Sequence, residues 1–75
     1  MGHYLRSLRA VQLRLIAAIA RNSKLRLAAD DCGMTTPAAS RMLADLEVQL
    51  GTTLFERRPK GMVPTPAGEV LVRHA

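Results

Sequence analysis

Apolar residues recur at helical spacing near the start of the chain and predict a helix there. With about 3.6 residues per turn, side chains three and four positions apart share one face. The predicted helix covers about residues 7–21, and Leu13, Ile16, Ile19 and Ala20 mark its buried side.

A second, shorter helix is predicted after a polar break. Asn22-Ser23 ends the first helix, and the Ser23 hydroxyl can accept a hydrogen bond from the free amides of the next first turn. The apolar positions follow i, i+3, i+4 and i+7 spacing, at Leu25, Ala28, Ala29 and Cys32. Gly33 comes next, where a positive φ costs little, so we expect the helix to end there.

The third predicted helix, residues 36–50, has two unlike faces. Thr35 or Thr36 can cap it, and Pro37 suits its first turn because the missing N–H is not needed there. One face is apolar and comprises Ala39, Met42, Leu43, Leu46 and Leu50. The other is small and polar and comprises Pro37, Ser40, Arg41 and Ala44. A face of such small side chains can approach the floor of a DNA groove closely. A core helix with small outer residues would show the same pattern.

The hydrophobic period changes after Gly51, where a β-hairpin is predicted. Residues 52–57 have the pattern of a short strand, and residues 58–61 that of a turn. A returning strand at Met62-Val63 is cut short by Pro64, which suits only an edge or a strand end.

The order of these elements predicts a mainly α fold, the winged helix-turn-helix, with a three-helix core, a two-stranded basic wing and the start of a fourth, linker helix. That helix opens at Thr65-Pro66, and its apolar positions are Ala67, Val70, Leu71 and Ala75. We expect an irregular N-terminus over residues 1–7, partly a cloning remnant, the winged domain over residues 8–64 and a truncated linker helix over residues 65–75. Because a helix of about ten residues is marginal alone, this indicates a piece of a longer chain.

Positive charge is concentrated in two parts of the chain, whose formal net charge is +5 and whose pI is about 10.7. Residues 1–29 contain no acid and six basic residues, namely Arg6, Arg9, Arg14, Arg21, Lys24 and Arg26. A second cluster, Arg57, Arg58 and Lys60, surrounds the predicted turn. Basic patches attract polyanions, which favours a nucleic-acid partner over the alternative that the charge only confers solubility.

The composition argues against a secreted, membrane or catalytic protein. No apolar run approaches the ~20 residues of a membrane span, and early arginines interrupt any signal-peptide pattern. Cys32 is the only cysteine, which excludes an internal disulfide or a cysteine-based zinc site and favours the cytoplasm. We expect Cys32 to be a small buried side chain, with redox sensing as the alternative. The chain has no nucleophile–base pair, metal-ligand spacing or phosphate loop, so neither an enzyme nor a cofactor is expected, and His3 and His74 are assigned to the surface.

Four motifs follow one another in a fixed order from about Leu8 to the end of the chain. They are Leu25-x-x-Ala28-Ala29-x-x-Cys32, then Thr35-Thr36-Pro37-Ala38-Ala39-Ser40-Arg41 continuing to Leu46-Glu47-x-x-Leu50-Gly51, then Leu54-Phe55-Glu56-Arg57 with Gly61, then Thr65-Pro66-Ala67-Gly68-Glu69. In this order they resemble the N-terminal DNA-binding domain of LysR-type bacterial transcription regulators. The combination is specific for that family, although no single motif is.

The resemblance implies sequence-specific binding of double-stranded DNA, with the third helix as recognition helix in the major groove. Six residues at its start would touch DNA: Thr35, Thr36, Pro37, Ala38, Ser40 and Arg41. Thr36, Pro37 and Ala38 would meet base edges, whereas the serine and the arginine would bind bases or phosphates. Thr35 would hold a phosphate with the first-turn amides, and its alternative role is capping alone.

Contacts outside the recognition helix are also implied by the resemblance. The phosphate backbone would meet Ser23, Lys24 and Arg26, and the wing would contribute Arg57, Arg58 and Lys60. The wing arginines would lie on phosphate, and Lys60 would enter the minor groove. Two alternatives stay open: Arg57 could form a salt bridge with an acid of the core helices, and Lys60-Gly61 could be simple turn chemistry.

The chain departs from the family pattern at four positions. Thr36 stands where many members have Gln, so the position offers one hydroxyl and a methyl group that can contact thymine. Lys24 stands where a Ser usually starts the second helix, which would move the cap to Ser23. Cys32 replaces the usual Leu, and Lys60 stands where Arg, with its forked donors, is common at the wing tip.

The resemblance further implies a homodimer through the fourth helix and a separate C-terminal domain that senses a small-molecule effector. Val70, Leu71 and Ala75 would begin the dimer seam or, equally, pack on their own domain.

Two competing functions are a protein-interaction module and an RNA-binding domain. The retained cations argue against the first, and the second usually needs exposed aromatic residues, of which this chain has almost none: only Tyr4 and Phe55 are aromatic.

Overall fold

Four helices and a two-stranded hairpin form the part of the chain that the computed structural model describes, residues 8–74. In chain order they are α1 (Ala10–Asn22), α2 (Leu25–Asp31), α3 (Thr36–Leu50), β1 (Phe55–Arg58), β2 (Gly61–Pro64) and α4 (Pro66–His74). The predicted mainly α, winged helix-turn-helix fold is confirmed. The irregular terminus expected over residues 1–7 lies outside the described residues, as does Ala75.

An apolar core centred on α1 fixes the helices relative to one another, because α1 packs against α2, α3 and α4. The buried residues are Leu15, Ile16, Ala18, Ile19, Ala28, Ala29, Ala39, Leu43, Leu46, Leu54, Phe55, Met62 and Leu71. Among residues 8–74 no polar or charged residue is buried. The free energy that holds the fold therefore comes mainly from apolar surface, at roughly 25 cal/mol per Å² removed from water.

The buried side of α1 differs from the prediction. Leu13 and Ala20 are only half-buried, whereas the two predicted isoleucines are buried. Leu15 and Ala18, which the pattern did not select, are fully buried. Since three helices pack on α1, its buried arc is wider than the single stripe that an amphipathic surface helix presents.

The cap predicted for Ser23 is wrong, because this residue ends α1 instead of opening α2. Ser23 has φ 62°, and its N–H donates to Ile19 O at 2.8 Å. Lys24 occupies the N-cap position of α2, which has no side-chain cap bond. A lysine ammonium has no acceptor for the free amides of a first turn, so α2 begins without the bond that a serine could supply.

The turn from α2 to α3 follows the prediction closely. Gly33 has φ 67° directly after the end of α2, and Gly51 has φ 72° after α3. Thr35 caps α3, since its Oγ1 accepts from the Ala38 N–H at 3.2 Å. Cys32 follows α2 and is half-buried against the core, which is less than the predicted burial.

The hairpin is shifted along the chain relative to the prediction. Strand β1 begins at Phe55 and not at residue 52, and the antiparallel register places Phe55 opposite Pro64 and Arg58 opposite Gly61. Glu47 explains the late start, because its Oε2 accepts from the amides of Leu54 at 2.7 Å and Phe55 at 3.4 Å. The preceding segment is thus held by the end of α3 and not by a strand partner.

Helix α4 packs back on the domain, and its cap was predicted correctly. Thr65 Oγ1 accepts from the Gly68 N–H at 3.1 Å and donates to Thr53 O at 2.7 Å. Gly68 allows the close approach, because a Cβ there would lie 2.0 Å from Leu54 O. Leu71 is buried in the core of its own domain. The boundary predicted between the winged domain and the linker helix, after residue 64, stays a prediction.

Candidate nucleic-acid interface

The start of α3 presents a small, polar surface to solvent. Pro37, Ala38 and Arg41 are exposed, and Thr36 and Ser40 are half-buried. The opposite side of the helix is anchored by Ala39, Leu43 and Leu46 in the core, so these five residues are presented on a rigid element. The two unlike faces predicted from the sequence are confirmed.

Arg41 extends from this surface beside a single acid. Its Nε lies 4.0 Å from Asp45 Oδ2, one helical turn away, and 84% of the Arg41 side chain is exposed. An exposed pair of this kind contributes little and is easily broken. The guanidinium is therefore available to a base edge or a phosphate.

The wing carries three exposed cations, Arg57, Arg58 and Lys60, which differ in whether they form an ion pair. Arg58 is paired within its own strand, because its Nε donates to Glu56 Oε1 at 3.1 Å. For Arg57 no ion pair is found within residues 8–74, so the alternative of a bridge to a core-helix acid is not observed there. Lys60 lies at the tip and is exposed.

The backbone-binding candidates at the start of α2 lie against this wing tip. The Ser23 carbonyl accepts from the Met62 N–H at 2.7 Å, and Lys24 Nζ donates to the Lys60 carbonyl at 3.1 Å. Arg26 is exposed on the first turn of α2. The fold thus brings Lys24, from the first basic part of the sequence, next to Lys60 in the second.

Two acids near the interface, Asp45 and Glu47, are not among the predicted site residues. Glu47 joins α3 to the start of the wing through two backbone amides, and Asp45 faces Arg41. No sequence signal pointed to Glu47, because its partners are backbone amides of the following segment. The spacing of Arg41 and Asp45, i and i+4, is by contrast that of a helical ion pair.

Within residues 8–74 no group of three metal-ligating side chains comes together. In the same range no helix is both long and apolar enough to cross a membrane. What the surface does offer is exposed cations, hydroxyl groups and a helix N-terminus, which are the groups that bind nucleic-acid backbones and base edges.

Comparison with known proteins identifies the family. The model of bacterial regulatory helix-turn-helix proteins of the lysR family matches residues 10–69. The chain therefore belongs to this family. A curated relative, the HTH-type transcriptional regulator GbpR of Azospirillum brasilense, is 44% identical over 63 residues, which are 84% of this chain and 18% of GbpR. The chain thus spans about a fifth of the length of such relatives.

Solved structures confirm the same fold. The probable transcriptional regulator PA0477 from Pseudomonas aeruginosa superimposes with a TM-score of 0.85 at 29% identity, covering 96% of this chain and 24% of that one. A CbnR_DBD-DNA complex gives a TM-score of 0.81 at 28% identity, covering 89% of this chain and 77% of the other. The matched proteins are regulators and not enzymes, in agreement with the sequence-based expectation.

Proposed function

We propose that this chain is the sequence-specific, double-stranded DNA-binding domain of a LysR-type transcriptional regulator. The main support is the small, exposed start of α3, which is anchored in the core and lies in a domain whose wing cations Arg57 and Lys60 are exposed. The similarity to a domain solved with DNA supports the same conclusion. Net positive charge would steer the domain to DNA and make its affinity depend on salt.

In this proposal α3 lies in the major groove with its N-terminus foremost. Thr36, Pro37 and Ala38 meet base edges, whereas Ser40 and Arg41 bind bases or phosphates. Thr35 would hold a phosphate together with the first-turn amides while its Oγ1 caps the helix. Capping and phosphate binding are compatible, because a hydroxyl that accepts from an amide keeps its own proton to donate.

The phosphate backbone would be bound on the neighbouring surface. Ser23, Lys24 and Arg26 lie at the start of α2, and Arg57 and Arg58 lie on the wing, with Lys60 directed to the minor groove. Arg57 is the stronger phosphate candidate of the two wing arginines, because Arg58 must first leave Glu56. These contacts position the domain, while base contacts from α3 select the sequence.

The test is binding to a fluorescently labelled duplex, measured by anisotropy across a salt series. One duplex carries the promoter next to the gene of this protein, and a scrambled duplex of equal composition is the control. We expect affinity that falls steeply with salt and a clear preference for the promoter. No binding to either duplex at low salt would contradict the proposal and favour a protein-interaction module.

The longer protein to which such a domain belongs is also a proposal. We infer a homodimer through a linker helix over residues 65–75, following the winged domain of residues 8–64, and a C-terminal domain that binds a small-molecule effector in the cytoplasm. Because Leu71 is buried in its own domain, the seam would use Val70 and later positions. Sedimentation of the longer chain would test this, and a monomer at micromolar concentration would contradict it.

A further inference from the structure

The tip of the wing is attached to the turn between α1 and α2 by two hydrogen bonds and by a close backbone approach at Gly61. The Met62 N–H donates to Ser23 O at 2.7 Å, and Lys24 Nζ donates to Lys60 O at 3.1 Å. Gly61 has φ 139°, and a Cβ at this residue would lie 2.7 Å from the same Ser23 carbonyl. The hairpin tip is thereby held against the N-terminus of α2.

The bond from Lys24 is the only one of these contacts that a side chain makes. Ser23, Met62 and Gly61 take part through their backbones. The lysine also occupies the N-cap position, where α2 has no side-chain cap bond. At the position where family members usually have a serine, this chain therefore has a lysine that bonds to the wing.

We propose that Lys24 is a positioning residue, which fixes the backbone at Lys60 so that the Lys60 side chain meets DNA. The inference rests on the proposed DNA binding and deepens it. The Lys24 ammonium is bonded to the carbonyl of Lys60 itself, so it restricts the backbone from which that side chain extends. A group that is already oriented loses less conformational entropy when it binds.

This positioning role replaces the direct phosphate contact that the resemblance implies for Lys24, and that contact is the alternative to be tested. An ammonium has three donors, and the bond to the wing uses one of them. The two roles differ in their salt dependence, because each independent phosphate contact adds about one unit to the slope of log affinity against log salt. They also differ in whether Lys24 and Lys60 act independently.

The experiment is a double-substitution cycle on the whole 75-residue chain. Lys24→Met keeps the aliphatic stem and removes the ammonium, Lys24→Arg keeps a donor, and Lys60→Ala removes the tip cation. Each variant and the Lys24→Met/Lys60→Ala pair are titrated with the labelled promoter and scrambled duplexes across the salt series. Arg14→Ala, an exposed cation outside the proposed interface, is the charge-matched control.

We expect Lys24→Met alone to weaken binding by about two- to tenfold, with recovery in Lys24→Arg. Added to Lys60→Ala, it should cause less than a further twofold loss, and the salt slope of the pair should fall by about one unit. Independent losses, with a slope lower by about two units, would overturn the proposal and make Lys24 a phosphate ligand.

The rate of hydrogen exchange at the Met62 amide tests the positioning role of Lys24 in the absence of DNA. If Lys24 holds the tip, this amide should exchange faster in Lys24→Met than in the parent or in Arg14→Ala. Unchanged exchange would contradict the positioning role even where binding is weakened. If the parent chain binds neither duplex, the proposed function fails, and Met62 exchange alone decides whether Lys24 fixes the wing.

Discussion

At the scale of single residues, Arg41 combines the features expected of a side chain that distinguishes bases. It extends from an anchored helix, 84% of its side chain is exposed, and its ion pair with Asp45 is long at 4.0 Å. A guanidinium presents forked donors that match the two acceptors of guanine in the major groove. Releasing it from Asp45 costs little, because exposed pairs are weak.

Arg41→Ala should weaken binding to the promoter duplex by about 1–3 kcal/mol and reduce the preference over the scrambled duplex, if this arginine meets a base. Anisotropy titrations at one fixed salt concentration measure both quantities. Arg14→Ala removes the same charge from an exposed part of α1 and should leave the preference intact. Unchanged affinity together with unchanged preference in Arg41→Ala would exclude the assignment.

At the scale of secondary structure, helix ends and turns were predictable wherever one residue's own chemistry determines them. Thr35, Gly51 and Thr65 mark helix boundaries in the sequence and in the structure alike. The errors lie at positions where residues distant in the sequence determine where an element begins or ends. Ser23 ends α1 where its carbonyl accepts from the wing, and β1 starts late because Glu47 holds the preceding amides.

Thr65→Ala should destabilise the domain by about 0.5–2 kcal/mol, because α4 loses its cap. The bond to Thr53 O is lost as well. Urea denaturation followed by circular dichroism measures the free energy of unfolding. The matched control is Thr52→Ala, an exposed threonine whose hydroxyl makes only a 3.4 Å bond to the neighbouring carbonyl. Equal stabilities of the two variants would contradict the capping role.

The positions of the candidate residues on the fold were predictable, but the bonds between them were not. Periodicity placed Pro37, Ser40 and Arg41 opposite the core stripe, and the structure has them there. The bond from Lys24 to the wing could not be foreseen, because its partner is a backbone carbonyl 36 positions away. Nothing in the residue types around position 60 distinguishes that carbonyl from its neighbours.

At the scale of the whole molecule, a thin aliphatic core supports every functional surface. Among residues 8–74 the core contains one aromatic residue, Phe55, and is otherwise made of aliphatic side chains and Met62. A 75-residue domain buries a smaller fraction of its surface than a larger one and has little stability in reserve. Core substitutions should therefore affect DNA binding indirectly, by unfolding the domain.

Leu46→Ala should lower the free energy of unfolding by about 2–5 kcal/mol, since Leu46 is 1% exposed and its loss leaves a cavity. Thermal unfolding by calorimetry would show a large fall in Tm. Val48→Ala, on the same helix but 81% exposed, is the matched control and should change Tm little. Similar shifts in the two variants would contradict the proposed position of the core.

The contact between the wing tip and the α1–α2 turn also bears on how the chain reaches its native state. The helix-turn-helix is built from neighbours in sequence, and such local contacts form quickly. The bond from Lys24 to Lys60 instead closes a loop of 36 positions, whose ordering entropy must be lost before the bond is gained. We therefore expect the hairpin to dock after the helices have assembled. In the time between, the exposed edges of β1 and β2 can pair with another chain, so association during refolding should begin at the wing.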